Sequence, residues 1–419
     1  MASILGRLES ALSHGIAALF ILVAAHVAWG VLANYRSPLR KCPGPFVARW
    51  TDLWRFYHTL RGDIHLVNKR MHAKYGPVVR TGPNNLDLDL PELIKTIYTT
   101  DGRWCKTEFY PPASSVVDGK VVYNVFSVRD PVEHARQKKP IAKHYSLPSI
   151  LQLEGHVDEA ILLLGRQLED RFMRTKDGSF GESFDLGEWI SMYAWDVIGQ
   201  ITFSKHFGYL ENGRDFDGHI RLSGFGSDYM AAVGQLPYLD RWIDKNPFFP
   251  IGGATRLLLP TLRRFHDRMR SLDNHKSTTT TTDDFLDRFV QAKAEHPEVV
   301  DDRQIVSYLT INMVAGADTT AITIKAVLYY ILRTPRTQDE FARRLRVMNA
   351  ADLAFGAGSR VCLGRHLGLV EVYKVVAALF ARYEMDMVHP EKEWWTRNGF
   401  FLRQKGLQVR MKRRDRAVA

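Results

Sequence analysis

The chain has 419 residues, of which 45% are hydrophobic and 25% are charged, and its formal net charge is +11. This composition is typical of a folded globular protein and excludes disordered, collagen-like and low-complexity chains. Cysteine occurs only at positions 42, 105 and 362, which excludes a disulfide framework and is consistent with a reducing compartment. No recognition-module motif accompanies the positive charge, so we expect no nucleic-acid partner.

An uncharged stretch near the N-terminus, residues 11–33, is long enough to cross a bilayer with some tilt. Basic residues follow it, and the positive-inside rule then places the rest of the chain in the cytosol. Several prolines after residue 37 indicate a stiff hinge. We therefore predict a membrane anchor over residues 1–35, a hinge over 36–50 and one large domain over 51–419. A buried N-terminal core helix is the alternative.

The first third of the large domain contains recognisable local patterns. Residues 76–90 predict a β-hairpin, and residues 91–98 predict a short helix that begins with proline. Residues 107–127 predict a long loop, a kind of segment that often carries function. The pair Asp130-Pro131 predicts the start of a basic helix over about residues 132–144. The alternative is that this helix is an ordinary solvent-exposed helix with basic side chains.

Helical periodicity dominates the rest of the chain. It predicts core helices over residues 156–173 and 186–203, and a threonine-rich linker at 277–282 precedes a predicted helix over 285–294. Residues 303–334 contain no helix breaker and would span about 48 Å as one helix. Alternating patterns near residues 384–388 and 407–411 predict short strands. The fold class expected is therefore mainly α with minor β.

Residues 355–364, Phe-Gly-Ala-Gly-Ser-Arg-Val-Cys-Leu-Gly, form the most informative motif. Cys362 lies in a glycine-rich turn just before a helical pattern, where the helix dipole favours a thiolate. Arg360 is placed to pair with an acidic group of a flat cofactor. A dinucleotide fingerprint is excluded because its third glycine would fall at Val361. A buried structural cysteine is the alternative.

A second motif, Ala-Gly-Ala-Asp-Thr-Thr at residues 315–320, lies in the middle of the predicted long helix. Gly316 costs the helix about 1 kcal/mol relative to alanine, so it requires a reason, such as a flat group packed against the helix. Thr319 can donate a hydrogen bond to a carbonyl one turn earlier, and Asp318 can supply protons. The alternative is an ordinary helix interior with Asp318 facing solvent.

Together the two motifs resemble those of the cytochrome P450 monooxygenases, Phe-x-x-Gly-x-Arg-x-Cys-x-Gly and Ala-Gly-x-Asp-Thr. The resemblance covers about residues 40–411 and implies a P450-like helical fold that binds haem b, with Cys362 as the axial ligand of the iron. It implies catalytic roles for Asp318 and Thr319 in proton delivery to bound dioxygen. The other cofactor-binding positions that it implies are Phe355, Gly356, Arg360, Gly364, His134, Lys138, Ala315 and Gly316.

The resemblance also sets expectations about partners and substrate. Electrons would come from NADPH through a cytochrome reductase, and the N-terminal anchor resembles that of single-pass members in the endoplasmic reticulum membrane. The sequence Phe-Tyr-Pro-Pro at residues 109–112 resembles fungal pisatin-demethylase-like members. That likeness implies hydroxylation or demethylation of a small hydrophobic compound in secondary or xenobiotic metabolism. The positions expected to contact it are Val116, Val117, Phe400 and Phe401.

The spacing of the two motifs departs from the family's pattern. Cys362 follows Asp318 by only 44 positions, whereas the family has further helices, strands and a Glu-x-x-Arg motif there. Glu340 and Arg343 match Glu-x-x-Arg but lie too near Cys362 to leave room for the sheet. We therefore predict an internal deletion near residues 338–342. The deletion leaves open a non-catalytic paralogue or mis-spliced form with impaired haem binding. A separate alternative to the monooxygenase is a haem-thiolate isomerase or dehydratase that needs no reductase.

Overall fold

The computed structural model describes residues 30–117, 119–173, 178–246, 253–274, 283–333 and 353–414, with isolated positions before residue 30. The chain divides into two compact units, Met1–Leu90 and Pro91–Ala419. Most of the predicted anchor at residues 11–33 lies outside the described residues, as do the threonine-rich linker and the predicted deletion point. Within the described part of the chain, no helix has the length and apolar character needed to cross a membrane.

The described part of the first unit includes the predicted hairpin and, before it, a pair of helices. The helices are Leu53–Arg61 and Ile64–Tyr75. The hairpin pairs strand Val78–Gly82 with strand Asn85–Leu88 in antiparallel register, with Val78 opposite Leu88. The hairpin prediction is therefore confirmed.

The second unit is mainly helical, as the periodicity predicts. Its α-helices are Ile94–Ile97, Pro131–Ala142, Leu147–Leu151, Glu154–Phe172, Leu186–Phe203, Tyr209–Asn212, His219–Val233, Asp240–Ile243, Gly253–Asn274, Phe285–Glu295, Asp302–Arg333 and Arg365–Arg382. Its strands are Ser115–Val117, Lys120–Val122, Phe184–Asp185, Tyr383–Met387, Trp395–Asn398, Leu402–Lys405 and Gln408–Arg413. Every helix predicted over described residues of this unit is present, with ends that differ by a few residues.

The core of this unit is built around helix Leu186–Phe203, hereafter the buried helix. It is mostly apolar and buried on nearly all faces, which is typical of a helix enclosed by others. Asp185 caps it by accepting hydrogen bonds from the N–H groups of Gly187 and Glu188. The buried helix packs along Asp302–Arg333, hereafter the long helix. This contact places the middle of the long helix deep in the unit.

A small antiparallel sheet closes the chain. Strand Gln408–Arg413 lies between Phe184–Asp185 and Tyr383–Met387, with Met385 opposite Met411. The alternating pattern near residues 407–411 predicts a strand there, and this prediction is confirmed. Alternation of the strand buries Val409 and Met411 against the core, which holds the segment in place.

Two short hairpins are absent from the sequence-based prediction. Strands Ser115–Val117 and Lys120–Val122 pair within the segment expected to be a plain loop. The hairpin signal was present, because an Asp-Gly turn separates two Val-Val pairs and Gly119 takes a φ of 71°. Strands Trp395–Asn398 and Leu402–Lys405 form the other hairpin. Its strands carry few β-branched residues, so the strand pattern is weak.

Candidate active site

The glycine-rich turn presents the Cys362 side chain to solvent. Gly356 and Gly358 have φ angles of 67° and 61°, in the left-handed region that favours glycine. A Cβ on Gly358 would lie 2.4 Å from the carbonyl oxygen of Tyr98. The N–H of Cys362 donates a 2.7 Å hydrogen bond to the carbonyl oxygen of Phe355. Gly356 and Gly358 are therefore required by the path of the backbone itself.

The thiol of Cys362 does not have the lowered pKa expected of a cysteine before a helix. The surrounding protein raises its pKa, although the side chain is open to solvent on one side. The N–H of Gly364 and the charges of Arg365 and Lys138 oppose this rise. Gly364, not Cys362, occupies the N-cap position, so the thiol lies outside the first helical turn, where the dipole is strongest. The expectation that the pKa of the Cys362 thiol is lowered is therefore wrong for the polypeptide alone.

Hydrogen bonds join this turn to helix Pro131–Ala142, hereafter the basic helix. Arg360 donates to the carbonyl oxygens of Val128 and Arg129 at 3.0 and 2.8 Å. Lys138 donates to the carbonyl oxygen of Ser359 at 3.4 Å. Asp130 caps the basic helix, as predicted. Arg360 and Lys138 thus meet across the turn.

One member of this cationic cluster, Lys106, is not indicated by any pattern in the sequence. Lys106 lies close enough to Arg360 to feel its charge, and burial together with that charge lowers the pKa of Lys106 to about 7. Burial, followed by the charges of Arg360, Lys138 and Lys106, lowers the pKa of His134 to about 4. In the described part of the chain, none of these side chains forms an ion pair with a carboxylate. No motif surrounds Lys106, so only the fold reveals it.

The second motif brings Ala315 and Thr319 to an exposed face of the long helix. The hydroxyl of Thr319 donates to the carbonyl oxygen of Ala315 at 2.6 Å, as predicted. Gly316 lies on a different face, where an added Cβ would come within 2.7 Å of Cδ1 of Ile198 on the buried helix. Close packing of two helices is thus a sufficient reason for Gly316.

Asp318 does not face solvent freely, because both of its carboxylate oxygens are occupied. The indole N–H of Trp195 donates to Oδ1 at 3.2 Å, and the hydroxyl of Ser223 donates to Oδ2 at 2.7 Å. Burial raises the pKa of Asp318, while these hydrogen bonds and the charges of Lys325 and Arg403 oppose the rise. A carboxyl group with a raised pKa can carry a proton closer to neutral pH. Neither Trp195 nor Ser223 was among the predicted site residues.

The two motifs meet through helix Arg365–Arg382, hereafter the C-terminal helix. A Cβ on Gly368 would lie in ordinary contact with Phe355 and Thr320, at 3.7 and 4.0 Å. Glu371 is 1% exposed, and burial raises its pKa to about 8, opposed by the Thr320 hydroxyl. The cysteine turn and the middle of the long helix are therefore neighbours in space, although 44 positions separate Asp318 from Cys362.

The expected substrate positions fall into two groups. Val116 is half-buried in strand Ser115–Val117, and the side chain of Val117 lies outside the described residues. Phe400 contacts Phe109 and Phe126, with ring centroids 6.2 and 5.7 Å apart, and Phe401 packs on Phe400 at 4.7 Å. Phe109 and Phe126 were not among the predicted positions.

The residues present fit a haem. An accessible thiol lies beside a cationic cluster whose side chains form no ion pair with a carboxylate among the described residues, and such a cluster suits the two propionates. Small or short side chains, Ala315 and Thr319, are exposed on the neighbouring long helix. An iron-ligating thiolate also needs nearby charge or hydrogen bonds to sulfur, which Lys138 and Gly364 provide.

Comparison with known proteins identifies the class. A model of the family described as Cytochrome P450 matches residues 43–346 and 342–411, and the chain belongs to this family. The cytochrome P450 monooxygenase cfoH of Aspergillus candidus is 34% identical over 94% of this chain and 92% of that protein. The monooxygenase pkfB of Emericella nidulans is 29% identical over 98% of each chain.

The family defines the chemistry at a coarse level. The protein is an oxidoreductase of the P450 monooxygenase class, with a mainly helical P450 fold. The family implies a haem iron, electrons from a redox-partner reductase and a small organic substrate. The resemblance drawn from the two motifs is therefore confirmed at the level of the superfamily.

Proposed function

We propose that this protein is a haem-thiolate monooxygenase that hydroxylates or demethylates a small organic substrate with O2. The observation that carries the proposal is the position of the Cys362 thiol close to Lys138, which with Arg360 and Lys106 forms a cationic cluster that makes no ion pair with a carboxylate in the described chain. His134 lies among these cations, and its pKa of about 4 keeps it neutral at pH 7. Bound haem b supplies oxygen activation and transfer to the substrate. Cys362 would hold the iron, and the cationic cluster would hold the propionates.

The protein's own residues would manage protons on the long helix. The hydroxyl hydrogen of Thr319 is committed to the carbonyl oxygen of Ala315, so its oxygen lone pairs remain available to accept a hydrogen bond from water. Asp318 has a raised pKa and so can hold and release a proton. We assign Thr319 the ordering of water and Asp318 the supply of protons. Electrons would come from NADPH through a cytochrome reductase.

The difference spectrum of the reduced protein with carbon monoxide tests thiolate ligation. We expect an absorbance band typical of thiolate-ligated haem after loading the full chain with haem. Cys362→Ser should abolish the band, while Cys105→Ser, which changes another exposed cysteine, should retain it. A haem-loaded protein whose spectrum is indifferent to Cys362→Ser would overturn the assignment. Turnover that needs neither NADPH nor reductase would instead favour the isomerase or dehydratase alternative.

A second candidate, a truncated form with impaired haem binding, has support of its own. The alignment with cfoH is 500 positions long, more than the 419 residues of this chain, so the relative carries residues that this chain lacks. The family model matches in two segments that meet at residues 342–346. We propose the deletion near residues 338–342. Sequencing the transcript and the gene across this point tests the proposal. A gene that contains no additional coding sequence there would show that the short form is encoded as such and is not a splicing error.

The location and the lineage are proposals as well. We propose that residues 11–33 anchor the protein in the endoplasmic reticulum membrane, on the basis of their uncharged sequence. Alkaline carbonate extraction of membranes should retain the full chain and release a form that lacks residues 1–35.

We place the activity in fungal secondary or xenobiotic metabolism, near the pisatin-demethylase-like members. A screen of aromatic secondary metabolites for binding-induced spectral shifts in the haem-loaded protein tests that placement.

A further inference from the structure

Lys325 places a cation in the interface between the long helix and the buried helix. Its ammonium donates a 2.6 Å hydrogen bond to Oγ of Ser191. Its methylene stem lies against Gly187, where an added Cβ would be 3.7 Å from Cδ and from Cε. The lysine ion pairs formed by the described residues do not include Lys325. A lysine ammonium surrounded by protein usually has a carboxylate partner, so this position is unusual.

The contact made by Lys325 lies next to the contact made by Asp318. On the buried helix, Ser191 lies one turn before Trp195, the donor to Asp318. On the long helix, Lys325 lies seven positions after Asp318. Spacings of four and seven residues keep side chains on one face of a helix, so both contacts belong to the same interface. Seven residues rise about 10 Å, so roughly two helical turns separate Lys325 from Asp318 along the axis.

Two cations act on the carboxyl of Asp318, and they differ in their partners. Burial is the main cause of the raised pKa of Asp318, and the charges of Lys325 and Arg403 are among the causes that oppose it. Arg403, in strand Leu402–Lys405, forms an ion pair with Asp228. Lys325 forms none within the described part of the chain. The charge of Lys325 is therefore the less compensated of the two.

The other charged groups that act on Lys325 lie near the start of the buried helix and on the neighbouring strand. Burial lowers the pKa of Lys325 to about 8, and the charge of Lys405 acts in the same direction. The carboxylates that oppose this lowering are Asp185, Asp318 and Glu188. Asp185 already caps the buried helix, and Glu188 is exposed to solvent. The interaction between Asp318 and Lys325 acts on both groups, as a pairwise interaction must.

We propose that Lys325, held by Ser191, is a positioning residue whose charge promotes the release of the Asp318 proton. This inference rests on the proposed function, because it concerns the proton supply assigned to Asp318. When Asp318 gives up its proton, a carboxylate forms inside the protein, where an uncompensated negative charge is costly. The ammonium of Lys325 stabilises that carboxylate, and the hydrogen bond to Ser191 fixes the ammonium in the interface.

An NMR titration of the full chain without haem tests the proposal, with the indole N–H signal of Trp195 as the reporter of Asp318. We expect Lys325→Met to raise the midpoint by about one pH unit, the size of an interaction between unit charges about 10 Å apart at an effective dielectric constant of about 20. Lys325→Arg retains the charge and should stay near the parent midpoint. Lys293→Met removes a cation that pairs with Asp302 at the start of the long helix, and it should leave the midpoint unchanged. An unchanged midpoint in Lys325→Met would overturn the proposal.

A second variant separates the charge of Lys325 from its packing. Lys325→Gln keeps a hydrogen-bond donor for Ser191 but removes the charge, so it should raise the midpoint as Lys325→Met does. Near-ultraviolet circular dichroism verifies that each variant is folded. A rise in Lys325→Met that Lys325→Gln does not reproduce would show an effect of packing and contradict the proposal.

The reverse measurement follows the pKa of Lys325 through the NMR signal of its Cε. Asp318→Asn should lower this pKa by the same amount, because the interaction between two groups is reciprocal. A pKa of Lys325 that does not respond to Asp318→Asn would also overturn the proposal.

These titrations need no bound haem, whereas thiolate ligation is judged by the carbon monoxide spectrum. Reciprocal shifts of Asp318 and Lys325 without the thiolate band would sustain the interaction of the two charges and defeat the proposed function. The thiolate band with no such shifts would sustain the proposed function and defeat this inference.

Discussion

The hydroxyl of Ser223 donates a 2.7 Å hydrogen bond to Oδ2 of Asp318 and links helix His219–Val233 to the middle of the long helix. Trp195 on the buried helix donates to the other oxygen. An indole N–H can only donate, so Oδ1 must remain an acceptor. A hydroxyl can also accept, so Ser223 can serve Asp318 in both of its protonation states. Ser223 is therefore the partner through which the proton of Asp318 can exchange.

Replacing Ser223 with alanine should raise the pKa of Asp318 further, because one donor to the ionised carboxylate is lost. The NMR signal of the Trp195 indole N–H, assigned with Trp195→Phe, should report the titration. Ser223→Thr keeps the hydroxyl and serves as the control. A midpoint that is the same in Ser223→Ala and the parent protein would show that the hydrogen bond does not tune Asp318.

Glu371→Gln should reduce the loss of stability that the parent protein shows when the pH rises from 5 to 8. The folded pKa of Glu371, about 8, is above the usual glutamate value, so the native state keeps a proton that the unfolded chain releases. The contribution of this group to the free energy of unfolding is fully present below the pKa of the unfolded chain and is lost as the pH rises through the folded pKa. The loss is about 1.4 kcal/mol for each pH unit between the two pKa values. Urea unfolding at both pH values measures the change.

The control for Glu371 is Glu393→Gln, which alters an exposed glutamate. It should leave the pH dependence of the free energy of unfolding unchanged. If Glu371→Gln leaves the same pH dependence as the parent protein, the carboxyl of Glu371 is not buried in its neutral form.

Gly316→Ala should destabilise the fold by about 1–3 kcal/mol, because the new methyl group would press on Cδ1 of Ile198. Ile198→Val removes that carbon, so the double variant should recover part of the loss. Chemical unfolding of the four proteins in the cycle measures the coupling. Additive effects of the two changes would show that contact with Ile198 is not what requires glycine at position 316.

Lys106→Met should raise the pKa of His134, because Lys106 is one of the charges that lower it. It should also weaken haem retention several-fold if Lys106 holds a propionate. NMR of the His134 imidazole in the protein without haem measures the change in pKa. Gel filtration of the haem-loaded protein measures haem retention. Lys139→Met, on the exposed side of the basic helix, is the matched control. A His134 titration that does not respond to Lys106→Met would place Lys106 outside the cluster.

Helical periodicity and short motifs were sufficient for much of this protein. The apolar spacing of residues 186–203 predicted the buried helix at its observed bounds, and Cys362 with its glycines predicted the class of cofactor. These features are local, because each depends on residues within a few turns of one another. The hairpin Ser115–Val117 with Lys120–Val122 was equally local but was missed, since its valines were attributed to a loop.

The tertiary structure alone decided which distant residues complete the site. Lys106 joins Arg360, and Ser223 and Trp195 hold Asp318, yet no spacing in the sequence relates these positions. Such contacts form where helices cross, and they depend on burial and packing. The pKa of Cys362 followed the same rule, because burial raises it more than the Gly364 N–H and the charges of Arg365 and Lys138 lower it. The sequence by itself determined the family and the iron-binding motif, and the packing determined the electrostatics around them.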